Sequence, residues 1–325
     1  MSMPLFRFAV MGAGKIARKF CDAVALTEGC TVCAVASKSM DRAKALASEK
    51  NIPAAYDSYE QLLKQEKPDC VYISATCDAH FDLAMLCARY GVNVLCEKAM
   101  FTCLSEADSF FRLADEKGIF SMEALWSRFL PANLQARKWI AEGRIGTPVA
   151  AEMGIGFAAA HDPENRYFSP KLGGGAANDL TVYGLQLLTW VLDRPITRAR
   201  AEAVPAFTGV DATSMVLLRL GDDVPALVRS SLMAPVDQQL VVYGTLGKLL
   251  IPRPHFGAEV FLTGQDETQN LHFKDETTVN GFTYEVEEVM RCVKAGLKES
   301  PVVPHSSTLA CCRVFDLIRE ELPKA

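Results

Sequence analysis

The stretch Phe6-Arg7-Phe8-Ala9-Val10-Met11-Gly12-Ala13-Gly14-Lys15-Ile16-Ala17 decides the fold. A short apolar run with β character enters a glycine turn, and helical spacing follows over Lys15–Leu26. The glycines permit a tight turn and close backbone approach, and the small Ala17 lets the helix pack on the strand. A helix starting there aims its unpaired N–H groups at any anion lying on the turn. A G-x-G-x-x-A string alone is a weak signal. Between a strand and a helix it predicts a Rossmann turn that holds a dinucleotide pyrophosphate with Gly12, Gly14, Lys15 and Ile16.

Working outward, the pattern repeats. Thr31–Ala36 is β-branched and apolar, and Asp41–Lys50 is helical in composition. A short region around Ser58–Gln65 leads to a strand over Val71–Ala75. An amphipathic helix follows over Ala79–Tyr90, closed by Gly91. Val92–Cys96 reads as a strand, and Ser105 as the cap of a helix over Glu106–Lys117. Strands alternating with helices predict a parallel sheet, assigned to residues 1–125. Residues 126–325 read differently. Pro131–Gly143 and Asn178–Leu192 are helices. Strand-like segments then run from Arg198 to Lys274 with short turns between them, which predicts an open, mainly antiparallel sheet. Two final helices, Tyr284–Ala295 and Ser307–Glu321, are candidates to pack back on the first domain. The fold class is α/β, a Rossmann domain followed by an α+β substrate and oligomerisation domain.

Composition narrows the classes. A net charge of −5 argues against a nucleic-acid partner. No run of apolar residues is long enough to span a membrane. The first apolar run leads into a glycine turn and not into a cleavage site. The 11 cysteines are odd in number, and the lone Cys30/Cys33 pair lacks two further ligands at metal spacing. They read as core-filling thiols without metal in a reducing, cytoplasmic setting.

The end of the second strand bears on which dinucleotide fits. A carboxylate there holds the ribose 2′-hydroxyl of NAD. This chain has Ser37-Lys38-Ser39, with Arg42 one turn on. A hydroxyl with two cations suits a 2′-phosphate, so NADP(H) is expected over NAD. Glu97-Lys98 closes the strand Val92–Cys96, at the edge where such sheets bind ligands. Asp179 and Tyr183, four apart on a helix, share one face. Gly173-Gly174-Gly175 before them would let backbone approach a ligand. Hydride transfer to a carbonyl builds charge on oxygen. A proton donor must meet it, and a cation lowers that donor's pKa from the ~10 of free tyrosine. The residues alone leave open whether Lys98 and Tyr183 meet, since a core tyrosine and a surface lysine fit the same letters.

These motifs resemble the glucose–fructose oxidoreductase / inositol dehydrogenase / MocA family over essentially the whole chain. The residues that carry the likeness are the turn at 12–17, Glu97-Lys98-Ala99, the run Met122–Pro131, Gly173–Tyr183 and Gly281-Phe282-Thr283-Tyr284-Glu285. The string Glu123-Ala-Leu-Trp-Ser-Arg-Phe-Leu-Pro131 resembles the dimeric dihydrodiol dehydrogenase and NADP-dependent xylose dehydrogenase branch. The resemblance implies an NADP-dependent dehydrogenase of a sugar, polyol or dihydrodiol, assembled as a homodimer or tetramer through the second sheet. It implies Lys98 at the nicotinamide ribose and the substrate oxygen, Tyr183 as acid/base and Asp179 orienting substrate. Ala75, Thr76, His80 and Glu97 would border the nicotinamide. Trp126, Arg128, Phe157 and Arg166 would face substrate, with His161 either a contact or a solvated loop residue. A non-catalytic NADP sensor and a reductase of C=N or C=C bonds are the alternatives. Three departures stand out, one being that Thr76-Cys77-Asp78-Ala79 lacks the proline or asparagine often found there. The usual proline after Glu-Lys is Ala99, which predicts a looser loop. The usual glycine two before the tyrosine is Thr181, which predicts an added side chain where substrate approaches.

Overall fold

The computed structural model describes residues 4–323. From β1 (Phe6–Met11) the chain alternates through α1 (Lys15–Leu26), β2 (Cys30–Ala36), α2 (Met40–Lys50), β3 (Ala54–Tyr56), α3 (Tyr59–Glu66), β4 (Cys70–Ile73) and α4 (His80–Arg89). β5 (Asn93–Glu97), α5 (Leu104–Lys117) and β6 (Ser121–Ala124) complete the alternation. The six strands pair in parallel in the order β3-β2-β1-β4-β5-β6. Phe8–Met11, Ala34–Ala36 and Cys70–Ile73 are wholly buried. Such unbroken apolar strands belong to a sheet covered on both faces. The order reverses between β1 and β4, the switch point at which such sheets receive ligands.

The short strands β3 and β6 escape the sequence reading, having only three and four residues. Ser105 is not the cap of α5. That helix starts one residue before it, at Leu104, with Cys103 in the cap position. The Glu106 carboxylate takes up the Thr102 N–H and hydroxyl, each at 3.0 Å.

Beyond a 3-10 turn at Trp126–Phe129 the chain forms α6 (Pro131–Ala141), β7 (Pro148–Gly156) and α7 (Val182–Leu192). It then lays down β8 (Ile196–Pro205), β9 (Asp211–Leu220), β10 (Val224–Ser231), β11 (Val236–Gly244), β12 (Gly247–Pro252), β13 (Glu259–Gly264) and β14 (Leu271–Lys274). These strands form one sheet in the order β14-β13-β12-β11-β7-β10-β9-β8. β7, absent from the sequence reading, lies inside this sheet. It is parallel to β10 and antiparallel to β11, and every other pairing is antiparallel. α7 lies close on the sheet at Gly184, where a Cβ would come within 2.4 Å of Val228 Cγ1.

The chain ends with α8 (Phe282–Lys294) and α9 (His305–Glu320). By contact the chain divides into two units. One is the chain up to Trp126 with Val279–Thr308, and the other is Ser127–Thr278 with the chain from Leu309 on. α8 therefore belongs with the parallel sheet. It packs on α1, and Asn280 Nδ2 donates to the Lys19 carbonyl at 3.0 Å. Among the described residues no helix is long and apolar enough to cross a membrane.

Candidate functional site

In the first unit the glycine turn is built by sterics. Gly12 has φ +111°, and a Cβ there would stand 2.7 Å from the Ser74 carbonyl carbon and the Ala75 nitrogen. Only glycine fits where β1 passes this close to the end of β4. Ser74 locks the approach, its N–H donating to Met11 O at 2.8 Å and its hydroxyl to Gly12 O at 3.0 Å. Ala17 is fully buried under the turn. Gly14 differs: a Cβ there would meet no atom within 4 Å. Gly14 also caps α1 without a side-chain hydrogen bond, and Lys15 beside it is exposed. Open space over an uncapped helix N-terminus fits a pyrophosphate.

At the end of β2, Ser37 is only 5% exposed and its hydroxyl accepts the Ser39 N–H at 3.3 Å. Ser39 caps α2 by accepting the Arg42 N–H. Lys38 and Arg42 are exposed, and so is Asp41 in the first turn of α2. Ala75 and Thr76 follow β4 at the carboxyl edge, half-buried and exposed respectively.

Glu97 is the last residue of β5, and Lys98 follows at the same edge, half-buried. The Glu97 side chain turns inward: Oε1 accepts the Tyr72 hydroxyl at 2.5 Å, and Oε2 takes the Lys98 N–H at 3.2 Å. Burial raises the Glu97 pKa. Burial and the Glu97 charge together push Glu285 of α8, fully buried, well above the usual carboxylate range. The Lys98–Ala99 peptide is cis. Ala99 does not leave this loop untied. Its carbonyl meets His80 Nδ1 at 2.9 Å and accepts from Cys77 Sγ, and the Met100 N–H donates to Glu123 Oε1 at 2.9 Å. His80 is 1% exposed, and its other ring nitrogen lies 3.2 Å from Ala75 O. The imidazole is thus a strut between the Ala75 and Ala99 loops, held below its usual pKa by burial. Trp126 stacks on Phe282 of α8 with ring centroids 5.1 Å apart.

In the second unit α7 is entered through one wide π-turn, Ala177–Thr181, and not through the regular helix that the spacing predicts. Asp179 lies on this turn, and its Oδ1 pairs with Arg166 Nη1 at 3.1 Å. The Arg166 guanidinium lies over the Tyr167 ring at 4.2 Å, and Tyr167 meets Phe157 edge-on at 5.1 Å. Phe157, Tyr167 and Tyr183 flank one apolar cluster of Ile155, Phe168, Ala176, Leu180 and Leu232. His161 is exposed and stacks on Phe207 at 3.8 Å. The glycine run serves the protein's own packing. A Cβ on Gly174 would meet the Tyr167 carbonyl at 2.7 Å, and one on Gly175 would strike Asp211 Oδ1 at 2.2 Å. Thr181 does not reach toward substrate either. It is fully buried, with its hydroxyl 2.6 Å from Ser230 Oγ and 3.1 Å from Ser214 Oγ. Arg128 is 2% exposed, its guanidinium donating to the Gln186 carbonyl at 3.0 Å.

Sequence reasoning misses His255. Its ring meets that of Tyr183 at 5.2 Å, carried by a loop whose Pro254 carbonyl is held by the buried Asn133 amide at 2.7 Å. Nothing local in Pro254-His255-Phe256 signals this. Only the contact with α7 does.

A parallel 3-2-1-4-5-6 sheet with this turn at its switch point defines a dinucleotide-binding Rossmann protein. Residues 6–124 match the oxidoreductase family with an NAD-binding Rossmann fold, and residues 133–250 the GFO/IDH/MocA C-terminal domain. The chain is 33% identical over 330 residues to trans-1,2-dihydrobenzene-1,2-diol dehydrogenase of Mus musculus, covering 98% of this chain and 96% of that one. The Xenopus tropicalis enzyme of the same name is 29% identical, covering 97% and 98%. Among solved structures, aldose-aldose oxidoreductase from Caulobacter crescentus superposes with a TM-score of 0.88 at 20% identity, covering 98% of this chain and 97% of that one. KijD10, a 3-ketoreductase from Actinomadura kijaniata in complex with NADP, gives 0.86 at 23% identity, covering 98% of both chains. The chain belongs to the GFO/IDH/MocA family, on its dihydrodiol dehydrogenase branch, and is an NAD(P)-dependent oxidoreductase.

Proposed function

We propose that the protein transfers hydride reversibly between NADP(H) and a hydroxyl-bearing carbon of a sugar, polyol or dihydrodiol. The observation that carries this reading is the surround of Tyr183. A phenol, the Arg166–Asp179 pair and the rings of Phe157, Tyr167 and His255 lie about one turn of chain. Polar groups set among aromatic faces suit a ring with hydroxyls on its edge and C–H bonds on its face. The mouse and frog relatives are named dihydrodiol dehydrogenases, which supports the same substrate class.

The nicotinamide, when bound, carries the hydride. Gly12 and Gly14 hold the pyrophosphate against the start of α1. Lys38 and Arg42 face the 2′-phosphate, with Ser37 shaping their loop. His80 and Glu97 act from beneath, as supports of the loop that carries Lys98. Trp126, braced by Phe282, borders the nicotinamide or the substrate. Tyr183 gives or takes the hydroxyl proton, Lys98 offsets the charge growing on oxygen, and Asp179 and Arg166 orient the neighbouring hydroxyls. Arg128 acts through α7 and not on substrate. A homodimer formed through the second sheet fits the exposed apolar residues of β8 and β9. A cytoplasmic setting fits the free cysteines.

The test is a turnover screen across aldoses, inositols, ketosugars and dihydrodiols with both NADP(H) and NAD(H). Tyr183→Phe and Lys98→Met should each lower kcat at least about 100-fold while NADPH still binds. Together they should lose far less than the product of the two, as groups acting on one step do. Near-normal rates in both single variants would reject the mechanism. Tight NADPH binding with no turnover of any compound would favour a sensor.

A further inference from the structure

Building on the reading of Tyr183 as acid/base, we propose that Asp211 is a positioning residue that locks the π-turn Ala177–Thr181 and so sets where Asp179 and Tyr183 stand. Asp211 opens β9 and is 5% exposed. Its Oδ2 accepts the Ala177 N–H at 2.7 Å. That N–H opens the turn, where no earlier helical carbonyl can receive it. Its Oδ1 faces Gly175, whose φ of +120° and lack of a side chain leave the carboxylate room. Gly175 is held in turn, donating to Tyr167 O at 2.9 Å and accepting the Asp179 N–H at 3.3 Å. One carboxylate therefore joins the edge of β9, the glycine run and the first residue of the turn. Neither the turn nor α7 has a side-chain cap of its own.

The same carboxylate is poised to change state. Burial pushes its pKa up to about 7, opposed by the Ala177 N–H. The charged group facing it is Arg319 of α9, itself bridged to Asp316. The groups facing it from the glycine run and the turn are backbone. The ionised carboxylate is the stronger acceptor of the Ala177 N–H, but burial makes its ionisation costly to the fold, so the strength of the lock changes as pH passes through this range.

The experiment compares Asp211→Asn with Asp211→Ala on the substrate for which the wild-type protein is most active. Asparagine keeps the acceptor and the size but cannot ionise. For Asp211→Asn the expected result is an unchanged KM for NADPH and loss of the wild-type inflection in kcat near pH 7. For Asp211→Ala it is a kcat at least about tenfold lower and faster amide exchange at Ala177–Thr181. A wild-type pH profile in the asparagine variant, or wild-type kcat and exchange in the alanine variant, overturns the proposal. If the alanine variant fails to fold, the asparagine profile decides. Tyr183→Phe is run alongside. An active phenylalanine variant defeats the mechanism itself, whereas an inactive one beside unaltered Asp211 variants defeats only the positioning role.

Discussion

Ser37 ends β2 with its hydroxyl turned into its own loop, while Lys38 and Arg42 stand in solvent. On the proposed reading a 2′-phosphate here would be met chiefly by charge, and Ser37 would matter for what it is not. Ser37→Asp would place a carboxylate where the phosphate approaches. The expected outcome is at least a tenfold rise in KM for NADPH relative to NADH, since one opposed charge contact is worth on the order of 1–3 kcal/mol. Steady-state kinetics with both cofactors reads it, and an unmoved preference would remove the NADP assignment. Residues whose role follows from their own backbone were legible beforehand. Gly12 and Ala17 are required by a close approach that any Rossmann turn makes. Asp211 and His255 were not legible. Each lies across the fold against α7 or the turn before it, and no local pattern marks a strand-opening aspartate as a neighbour of Ala177 or a loop histidine as a neighbour of Tyr183.

At the scale of elements, β7 shows where periodicity fails. Ala151, Met153 and Ile155 alternate inward, as a strand requires, but alanines and glycines blur the signal. The glycines are needed because neighbours crowd them. A Cβ on Gly154 would stand 2.4 Å from the Asp237 carbonyl. What weakens β7 as a sequence signal is what lets it sit inside a sheet. The π-turn was equally hidden, and its last residue, Thr181, is tied to strands far along the chain. Its hydroxyl closes a ring with Ser214 and Ser230, which also lie 2.8 Å from each other across β9 and β10. Thr181→Val keeps the shape and removes the hydroxyl. It should cost about 1–3 kcal/mol and lower Tm by several degrees, whereas Thr181→Ser should cost less. Thermal melts decide this, and a valine variant as stable as wild type would show the ring to be idle.

At the scale of the molecule, the antiparallel sheet leaves one face to solvent. Val204, Met215 and Leu217 are 62%, 50% and 54% exposed there, on adjacent strands. Apolar residues grouped in this way fit the proposed dimer interface. Leu217→Arg should convert the proposed dimer to a monomer in light scattering while leaving NADPH binding intact, and a wild-type mass would place the interface elsewhere. The alternation of the first 120 residues made the first sheet readable, and the run of strands made the second. That the closing helices could return to the first domain was read from the sequence, but the surface each would cover was not, since that depends on contacts between distant parts of the chain. α8 is a case with a history in time. It covers α1 although more than 250 residues separate their starts. During synthesis the ribosome releases the whole parallel sheet long before it releases α8. The nascent nucleotide unit must wait, with the outer side of α1 uncovered, until the chain has been made as far as Lys294.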